Sequence, residues 1–197
     1  MSELACSWAP AEDKLYRDYH DHEWGAPEYD PRALWEKLVL DGFQAGLSWI
    51  TVLRKREAFR AAFDGFDPSR VAHYKDDKIG QLLGDGGIIR SRAKIEAAIG
   101  SAKLYLAMEE NGENFADYCW SFVGGKPIVH RLTNYKGAPT QSSESEKLAK
   151  DLKARGFKFC GPVIVYAFMQ AVGMVNDHEI ACPRYKAVQK LGTRTRD

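Results

Sequence analysis

The feature that most constrains the fold is a succession of segments with apolar residues at helical spacing, running along most of the chain. Asp30 and Asp67 are each followed by proline, a pair typical of a cap and first helical position. Ser48 and Ser91 are expected to cap two further helices. The predicted helices cover residues 31–46, 49–63, a short stretch from 68, 76–84, 92–108, 114–122, 142–155 and 162–172.

The segment 162–172 is apolar nearly all round, which is typical of a central, fully buried helix. Its β-branched run 163–165 is also compatible with a strand, but no alternating partner segment accompanies it. Residues 124–142, rich in Gly, Pro, Thr and Ser, are predicted to form a loop. The chain is therefore predicted to be all-α.

The chain has 197 residues, 45% of them hydrophobic, which suits one domain over 1–197, or two closely packed lobes sharing a cleft. No apolar run approaches the ~20 residues that span a bilayer. The first residues lack the basic start and apolar stretch of a signal peptide. We therefore expect a cytoplasmic monomer with no membrane partner.

The net charge of +1 does not by itself point to a nucleic-acid partner, but the charges are unevenly distributed. Residues 11–41 hold nine acidic and four basic side chains, so the rest of the chain is basic. Each basic cluster is either a solvated helix face or part of a surface for an acidic partner. The clusters lie at 54–56, 90–94 and 153–158 and, near the C-terminus, at Arg184, Lys186, Lys190, Arg194 and Arg196.

A glycine turn joins two predicted helices in the string LLGDGGIIRSRAKI, residues 82–95. Glycine, here Gly87, permits a tight turn, and the N–H groups of a new helix start can face a phosphate. Arg90, Arg92 and Lys94 add positive charge beside the turn. The region at about 76–108 resembles a helix-hairpin-helix motif, which binds the DNA backbone without reading sequence. The alternative is an ordinary turn between helices.

Aromatic residues are dense in the first quarter of the chain, and they include Trp8, Tyr16, Tyr19, Trp24 and Trp49. Aromatics at this density either form a core or present ring faces to a ligand. Stacking on an unpaired base contributes about 1–3 kcal/mol, which would offset the few kcal/mol needed to flip a nucleotide out of a duplex.

An acidic residue, Asp41, interrupts the apolar string LDGFQAGLSWITVL at residues 40–53. An ionised carboxylate is costly to bury without partners, so Asp41 either faces solvent or has a specific task. Gln44, Gly46 and Leu47 follow at a turn between two helices. A leucine on a turn can act as a wedge that fills the space left by a flipped base.

Two pairs of metal-binding residue types lie near opposite ends of the chain: Cys6 with His20, and His178 with Cys182. Two thiolates and two imidazoles make a closed tetrahedral zinc site, which here would cross-link the ends. Spacing alone also allows a chance placement of cysteines and histidines. The other cysteines, Cys119 and Cys160, have apolar neighbours and are expected to be buried and inert.

Together these strings resemble the 3-methyladenine DNA glycosylase I family of the helix-hairpin-helix glycosylase superfamily. The resemblance covers nearly the whole chain and departs in the loop 124–142 and after Cys182. The matching strings lie, in order, at 6–8 (C-x-W), 19–25 (YHDHEWG), 44–53, 87–95, 120–123, 155–161, 166–178 and 182.

The resemblance implies a helix-hairpin-helix glycosylase fold with two helical lobes around a cleft. It implies a monofunctional enzyme that hydrolyses the N-glycosidic bond of 3-methyladenine in alkylated double-stranded DNA, releases the free base and leaves an abasic site. It also implies one structural Zn²⁺ per chain, a clamp between 6–20 and 178–182. Its four ligands are Cys6, His20, His178 and Cys182.

The same resemblance implies a base pocket and places Gly46 and Leu47 on a loop that enters the DNA. At position 41 the family usually has glutamate, whereas this chain has the shorter Asp41. The hydrogen bonds from Asp41 to the base would then need a bridging water or a shifted helix. The pocket residues implied are Trp8, Tyr16, Tyr19 and Trp49, with Trp49 stacking on the lesion.

Three rival functions remain open from the sequence. One is a related alkylbase glycosylase with a different or broader lesion range, such as 3-methylguanine. Another is a non-catalytic, zinc-containing DNA-binding module, which would not need Asp41 in a pocket. The third is a zinc hydrolase using His20 and His178, which a site closed by four protein ligands disfavours.

Overall fold

The structure is a computed structural model that describes residues 5–191, so Arg194 and Arg196 of the basic tail lie outside the described residues. Within this range the chain is mainly helical. A single pair of two-residue strands, β1 (Ile128–Val129) and β2 (Val175–Asn176), accompanies the helices. The helices are α1 (Lys14–His22), α2 (Pro31–Gln44), α3 (Trp49–Leu53), α4 (Arg56–Ala62), α5 (Pro68–Val71), α6 (Asp76–Gly84), α7 (Arg92–Glu110), α8 (Phe115–Ser121), α9 (Ser143–Arg155), α10 (Pro162–Ala171) and α11 (Pro183–Leu191).

The predicted helix starts are confirmed at α2 and α5, where the aspartates before proline accept hydrogen bonds from backbone N–H groups. The predicted helix 49–63 was wrong in its length, because the helix breaks between α3 and α4. At the break, the ammonium group of Lys55 donates to the carbonyl oxygens of Gly86 and Gly87. Ser48 and Ser91 stand at N-cap positions, but neither side chain makes a capping hydrogen bond.

The chain is mainly helical as predicted, and the short strand pair is an element that the prediction lacked. β1 lies in the predicted loop 124–142 and pairs in parallel with β2, with Ile128 opposite Val175. Two-residue strands are too short to show an alternating pattern, and their partners are far apart in sequence. The pairing fastens this loop to the segment that leads into His178.

Helix α2 lies at the centre of the fold and packs against α3, α7, α8 and α10. Leu34, Trp35 and Leu40 on it are fully buried, which explains why its sequence is apolar on several sides. Helix α10 packs on α9 and α2 as expected, although Val163 in its first turn is 53% exposed. The prediction that α10 is fully buried was therefore wrong at its first turn, which lies at the surface.

Buried apolar side chains form two clusters. The larger one joins most helices, and the smaller one contains Cys6, Tyr19, Trp24 and Cys182, with Trp49 in contact with both. The smaller cluster brings both chain ends to α1 and α3. None of the helices within residues 5–191 has the length and apolar character required to cross a membrane.

Candidate active site

A cavity of about 200 Å³ opens between the smaller cluster and α2. This volume is many times the ~10–15 Å³ that a single water needs by the same kind of measure. Helices α1, α2, α3 and α10 and three loops, which carry Trp8, Trp24 and Tyr135, supply its walls. The lining residues are Trp8, Tyr16, Tyr19, Trp24, Lys37, Asp41, Gln44, Trp49, Tyr135, Ala167, Gln170 and Ala171.

The structure brings all four predicted base-binding aromatics to this cavity. Trp8 contacts Tyr16 with ring centroids 5.0 Å apart, and Tyr19 contacts Trp49 at 5.5 Å. The indole N–H groups of Trp8 and Trp49 are buried and have no hydrogen-bond partner among residues 5–191. The aromatic wall therefore combines ring faces with indole N–H groups that have no partner among the described residues.

Asp41 lies in the same cavity and is 1% exposed. Its Oδ1 accepts a hydrogen bond from the ammonium group of Lys37 at 2.5 Å, whereas its Oδ2 is buried without a partner among the described residues. Burial raises the pKa of the Asp41 carboxyl, and the nearby Lys37 opposes that rise. One carboxylate oxygen is thus available to a donor that enters the cavity.

Lys37 was missed by the sequence reasoning. It lies one helical turn before Asp41, so its side chain falls on the same face of α2, and its Nζ is 3.8 Å from the ring centroid of Trp49. Burial lowers the pKa of Lys37, while the contact with Asp41 acts in the opposite direction. The i, i+4 spacing of the two charges was the available signal.

Tyr135 and Gln170 were also missed. The Gln170 amide nitrogen donates to buried Asp177 at 2.7 Å, which turns the amide oxygen away from that carboxylate. Tyr135 donates to this oxygen at 3.4 Å. Asp177 also accepts from Tyr166 at 2.7 Å and pairs with His130 at 2.6 Å. Tyr135 lies in the predicted loop, so no helical or strand pattern connected it to the site.

The four predicted metal ligands form one buried group, with all ligand atoms within 4.8 Å of one another. Cys6 Sγ lies 3.4 Å from His178 Nδ1. Cys182 Sγ lies 3.7 Å from His20 Nε2 and 3.8 Å from His178 Nδ1. The hydrogen bond with the Cys6 side chain lowers the pKa of Cys182 and favours its thiolate, the form that binds metals. The group could hold a metal ion.

The outer nitrogens of both histidines have partners that orient the rings. His178 Nε2 lies 3.0 Å from the carbonyl oxygen of Trp24, and His20 Nδ1 lies 2.6 Å from the carboxylate of Asp21. Each contact places a proton on the outer nitrogen and leaves the inner nitrogen free for a metal. Gly25, at φ +76°, must be glycine here, because a Cβ would lie 2.8 Å from His178 Nε2.

The group of two cysteines and two histidines shares a wall with the cavity. Trp8 packs against His20 with ring centroids 5.3 Å apart, and Trp24 packs against His178 at 4.6 Å. Trp8 and Trp24 also contact each other and line the cavity. The group that holds the chain ends together therefore supports one side of the cavity.

The glycine hairpin joins α6 to α7 as predicted, and Arg90 and Arg92 are exposed. Two expectations need correction. The N–H group of Gly87 donates to Asp85 Oδ1 at 2.7 Å, so it is already engaged within the turn. Lys94 does not extend freely beside the turn, because its ammonium group donates to the carbonyl oxygens of Phe43 and Ala45.

The loop after α2 presents Gly46 and Leu47 at the surface. Gly46 has φ +81°, a conformation that favours glycine, and Leu47 is 43% exposed. Lys94 fastens the carbonyl groups at the end of α2 beside this loop. Leu47 is therefore an exposed leucine on a turn that lies between two helices of the cavity wall.

Comparison with known proteins gives one consistent result. The family model described as "Methyladenine glycosylase" matches residues 8–185. DNA-3-methyladenine glycosylase 1 of Escherichia coli is 53% identical over 180 residues, covering 91% of this chain and 96% of the relative. A crystal structure of 3-methyladenine DNA glycosylase I superposes with a TM-score of 0.89 at 52% identity, covering 91% and 98% of the two chains. A structure describing 3-methyladenine recognition by the Staphylococcus aureus enzyme superposes at 0.87 with 39% identity, covering 91% and 95%.

Proposed function

The chain belongs to the methyladenine glycosylase family, and from that premise we propose how its own residues excise 3-methyladenine from alkylated DNA. The activity is hydrolysis of the bond between the base and its deoxyribose. The partners are DNA that contains alkylated bases and the released 3-methyladenine. The substrate is DNA, and the four cysteines of the protein form no disulfides. Both properties favour the cytoplasm as the location of the protein.

The flipped base lies in the cavity against Trp49 and Trp8. Methylation at N3 leaves the base in DNA with a positive charge, so aromatic faces attract it by cation–π interaction as well as by stacking. Asp41 Oδ2, the carboxylate oxygen without a partner among the described residues, accepts a hydrogen bond from the exocyclic amino group. Undamaged adenine is neutral and gains less from both contacts.

Hydrolysis needs little acid catalysis because the methylated base is already a good leaving group. The C1′–N9 bond breaks and its electron pair returns to the ring, so the base departs neutral. Water adds its oxygen to C1′ and loses a proton, which leaves an abasic site. The chain contributes by holding the extruded base and excluding other bases, while the DNA phosphates stabilise the oxocarbenium-like sugar.

The exposed surface around the cavity engages the duplex. Arg90 and Arg92 contact phosphates beside the helix-hairpin-helix turn, which positions the DNA without reading its sequence. Gly46 allows the tight turn that carries Leu47 into the stack, where Leu47 fills the space left by the base. Gly87 shapes the hairpin, and Lys94 supports the wedge loop from behind.

A structural zinc held by Cys6, His20, His178 and Cys182 fits the residues present. Tetrahedral zinc with Zn–S of about 2.3 Å and Zn–N of about 2.0–2.1 Å separates its ligand atoms by roughly 3.3–3.8 Å. Three sulfur–nitrogen separations in the group lie between 3.4 and 3.8 Å, and all its ligand atoms lie within 4.8 Å of one another. Four protein ligands leave no open position, so the ion would stabilise the cavity wall and take no part in hydrolysis.

The single observation that carries this proposal is that three buried polar atoms without partners among residues 5–191 belong to residues that line one cavity: Asp41 Oδ2, Trp8 Nε1 and Trp49 Nε1. Unpaired buried polar groups each cost about 1–3 kcal/mol, and a base with donors and acceptors on its edge relieves that cost. A non-catalytic DNA-binding module would have no reason to bury Asp41 in this way.

The direct test is to incubate the protein with DNA that carries radiolabelled methyl groups and to identify the released bases by chromatography. We expect 3-methyladenine as the main product, and its absence would overturn the proposal. Asp41→Asn should lower excision by about 10- to 100-fold, since a hydrogen bond to a charged group contributes roughly 1.5–3 kcal/mol. An unchanged circular dichroism spectrum would separate this loss from unfolding.

A further inference from the structure

Lys37 stands between the two groups that receive the base. Its ammonium group lies 2.5 Å from Asp41 Oδ1 and 3.8 Å from the ring centroid of Trp49, and the side chain is 15% exposed. Because the ammonium touches both Asp41 and Trp49, a base that contacts both also lies within reach of Lys37. A cation in a pocket for a cationic base needs an explanation.

The ion pair changes what the pocket recognises. Lys37 neutralises most of the charge of Asp41, so the pair attracts a positive base less strongly than a lone carboxylate would. In return, the pair presents an N–H donor from Lys37 next to a carboxylate acceptor, Asp41 Oδ2. Of its three protons the ammonium group uses one for Asp41, which leaves others for a ligand.

Adjacent donor and acceptor groups match one edge of a 6-aminopurine. On that edge the exocyclic amino group donates and ring nitrogen N7 accepts. A 6-oxopurine presents two acceptors on the same edge, of which one would face the Asp41 carboxylate and be repelled. The pair therefore discriminates between these two classes of purine by hydrogen-bond pattern.

We propose that Lys37 is a specificity-determining residue that donates a hydrogen bond to N7 of the flipped base while Asp41 accepts from its amino group. This inference rests on the proposed function, since it concerns the same pocket and the same base. It assigns to Lys37 a role that neither a purely structural ion pair nor a simple counter-ion to Asp41 would have.

The test compares two free bases that differ at one ring atom, 3-methyladenine and its 7-deaza analogue, in which a C–H replaces N7. Binding is followed by quenching of tryptophan fluorescence. The unmodified protein should bind 3-methyladenine about ten-fold or more tightly than the analogue, the effect of one lost hydrogen bond to an ammonium group. In Lys37→Met the two bases should bind equally.

Lys103→Met removes a lysine from the exposed face of α7 and serves as the matched control, in which the ratio should stay at its original value. If Lys37→Met does not fold, Lys37→Gln keeps an N–H donor, and its ratio should lie between one and the original value. Equal binding of the two bases by the unmodified protein would overturn the proposal, as would an unchanged ratio in either Lys37 variant. Excision of 3-methyladenine, measured in parallel, shows separately whether the proposed function holds.

Discussion

At the scale of the residue, the site depends on Asp41, a carboxylate placed in an otherwise apolar helix. The sequence marked it as unusual because burial of an unpaired charge is costly. The structure shows that one oxygen is paired with Lys37 and the other is buried without a partner among the described residues. Lys37 lies between Asp41 and Trp49, so the shorter carboxylate does not act alone.

The pH dependence of excision should report the ionisation of Asp41. Burial raises the pKa of its carboxyl above the ordinary value of about 3.9, and only the ionised form accepts hydrogen bonds on both oxygens. As pH falls through the raised pKa, kcat/KM should therefore fall, at a higher pH than an exposed aspartate would cause. A series of single-turnover rates between pH 5 and 8 measures this fall, the acid limb of the pH profile.

Two variants check the assignment of that limb. Asp41→Asn should retain only weak activity that does not change over the same pH range. Lys37→Met removes the charge that opposes the rise in the Asp41 pKa, so its acid limb should move to higher pH. An acid limb that stays in Asp41→Asn would assign it to another group.

At the scale of the element, the cavity exists because short segments from distant parts of the chain meet on α2. The sequence predicted α2 well, since Asp30 and Pro31 define its start and its apolar residues repeat at helical spacing. It did not predict the break between α3 and α4, because Lys55 is held there by Gly86 and Gly87 of the hairpin, about thirty residues later. A contact of that range leaves no local pattern.

The loop after α2, which carries the proposed wedge Leu47, gives a second prediction. Leu47→Ala shortens a side chain that is 43% exposed and lies outside the buried clusters, so the free energy of unfolding should hardly change. Excision from duplex DNA should fall by about ten-fold, because less apolar surface fills the space left by the base. Steady-state kinetics on a duplex with one lesion would measure this.

The control uses a ligand that enters the cavity without base flipping, the free base 3-methyladenine. Affinity for free 3-methyladenine, measured by fluorescence quenching, should be the same in Leu47→Ala and in the unmodified protein. Equal loss with both ligands would mean that Leu47 shapes the cavity itself instead of assisting base flipping.

At the scale of the whole molecule, segments near the two ends of the described range meet in the group of two cysteines and two histidines. An ion bound there would close a loop of nearly the entire chain, and its ligands contact Trp8 and Trp24 of the cavity wall. Metal loss should therefore affect both stability and base binding. The N-terminal aromatic residues would lose their support before the larger cluster does.

We expect about one zinc per chain by elemental analysis and a melting temperature at least about 5 °C lower in Cys182→Ser, in line with a loss of a few kcal/mol in a domain of this size. A strong chelator should produce a similar shift in the unmodified protein. Cys119→Ala, at a buried cysteine outside the group, should keep its zinc. Equal zinc content in Cys182→Ser and the unmodified protein would contradict the assignment.

The sequence by itself determined the features that depend on local patterns and on residue chemistry. Helical spacing and capping residues predicted most helices, and the residue types and the family resemblance named the aromatics, Asp41 and the four metal-binding residues. The tertiary structure decided what depends on distant contacts: the strand pair, the break after α3, and the inclusion of Tyr135 and Gln170 in the cavity. Such contacts depend on the packing of the whole chain around α2, and no local sequence pattern indicates them.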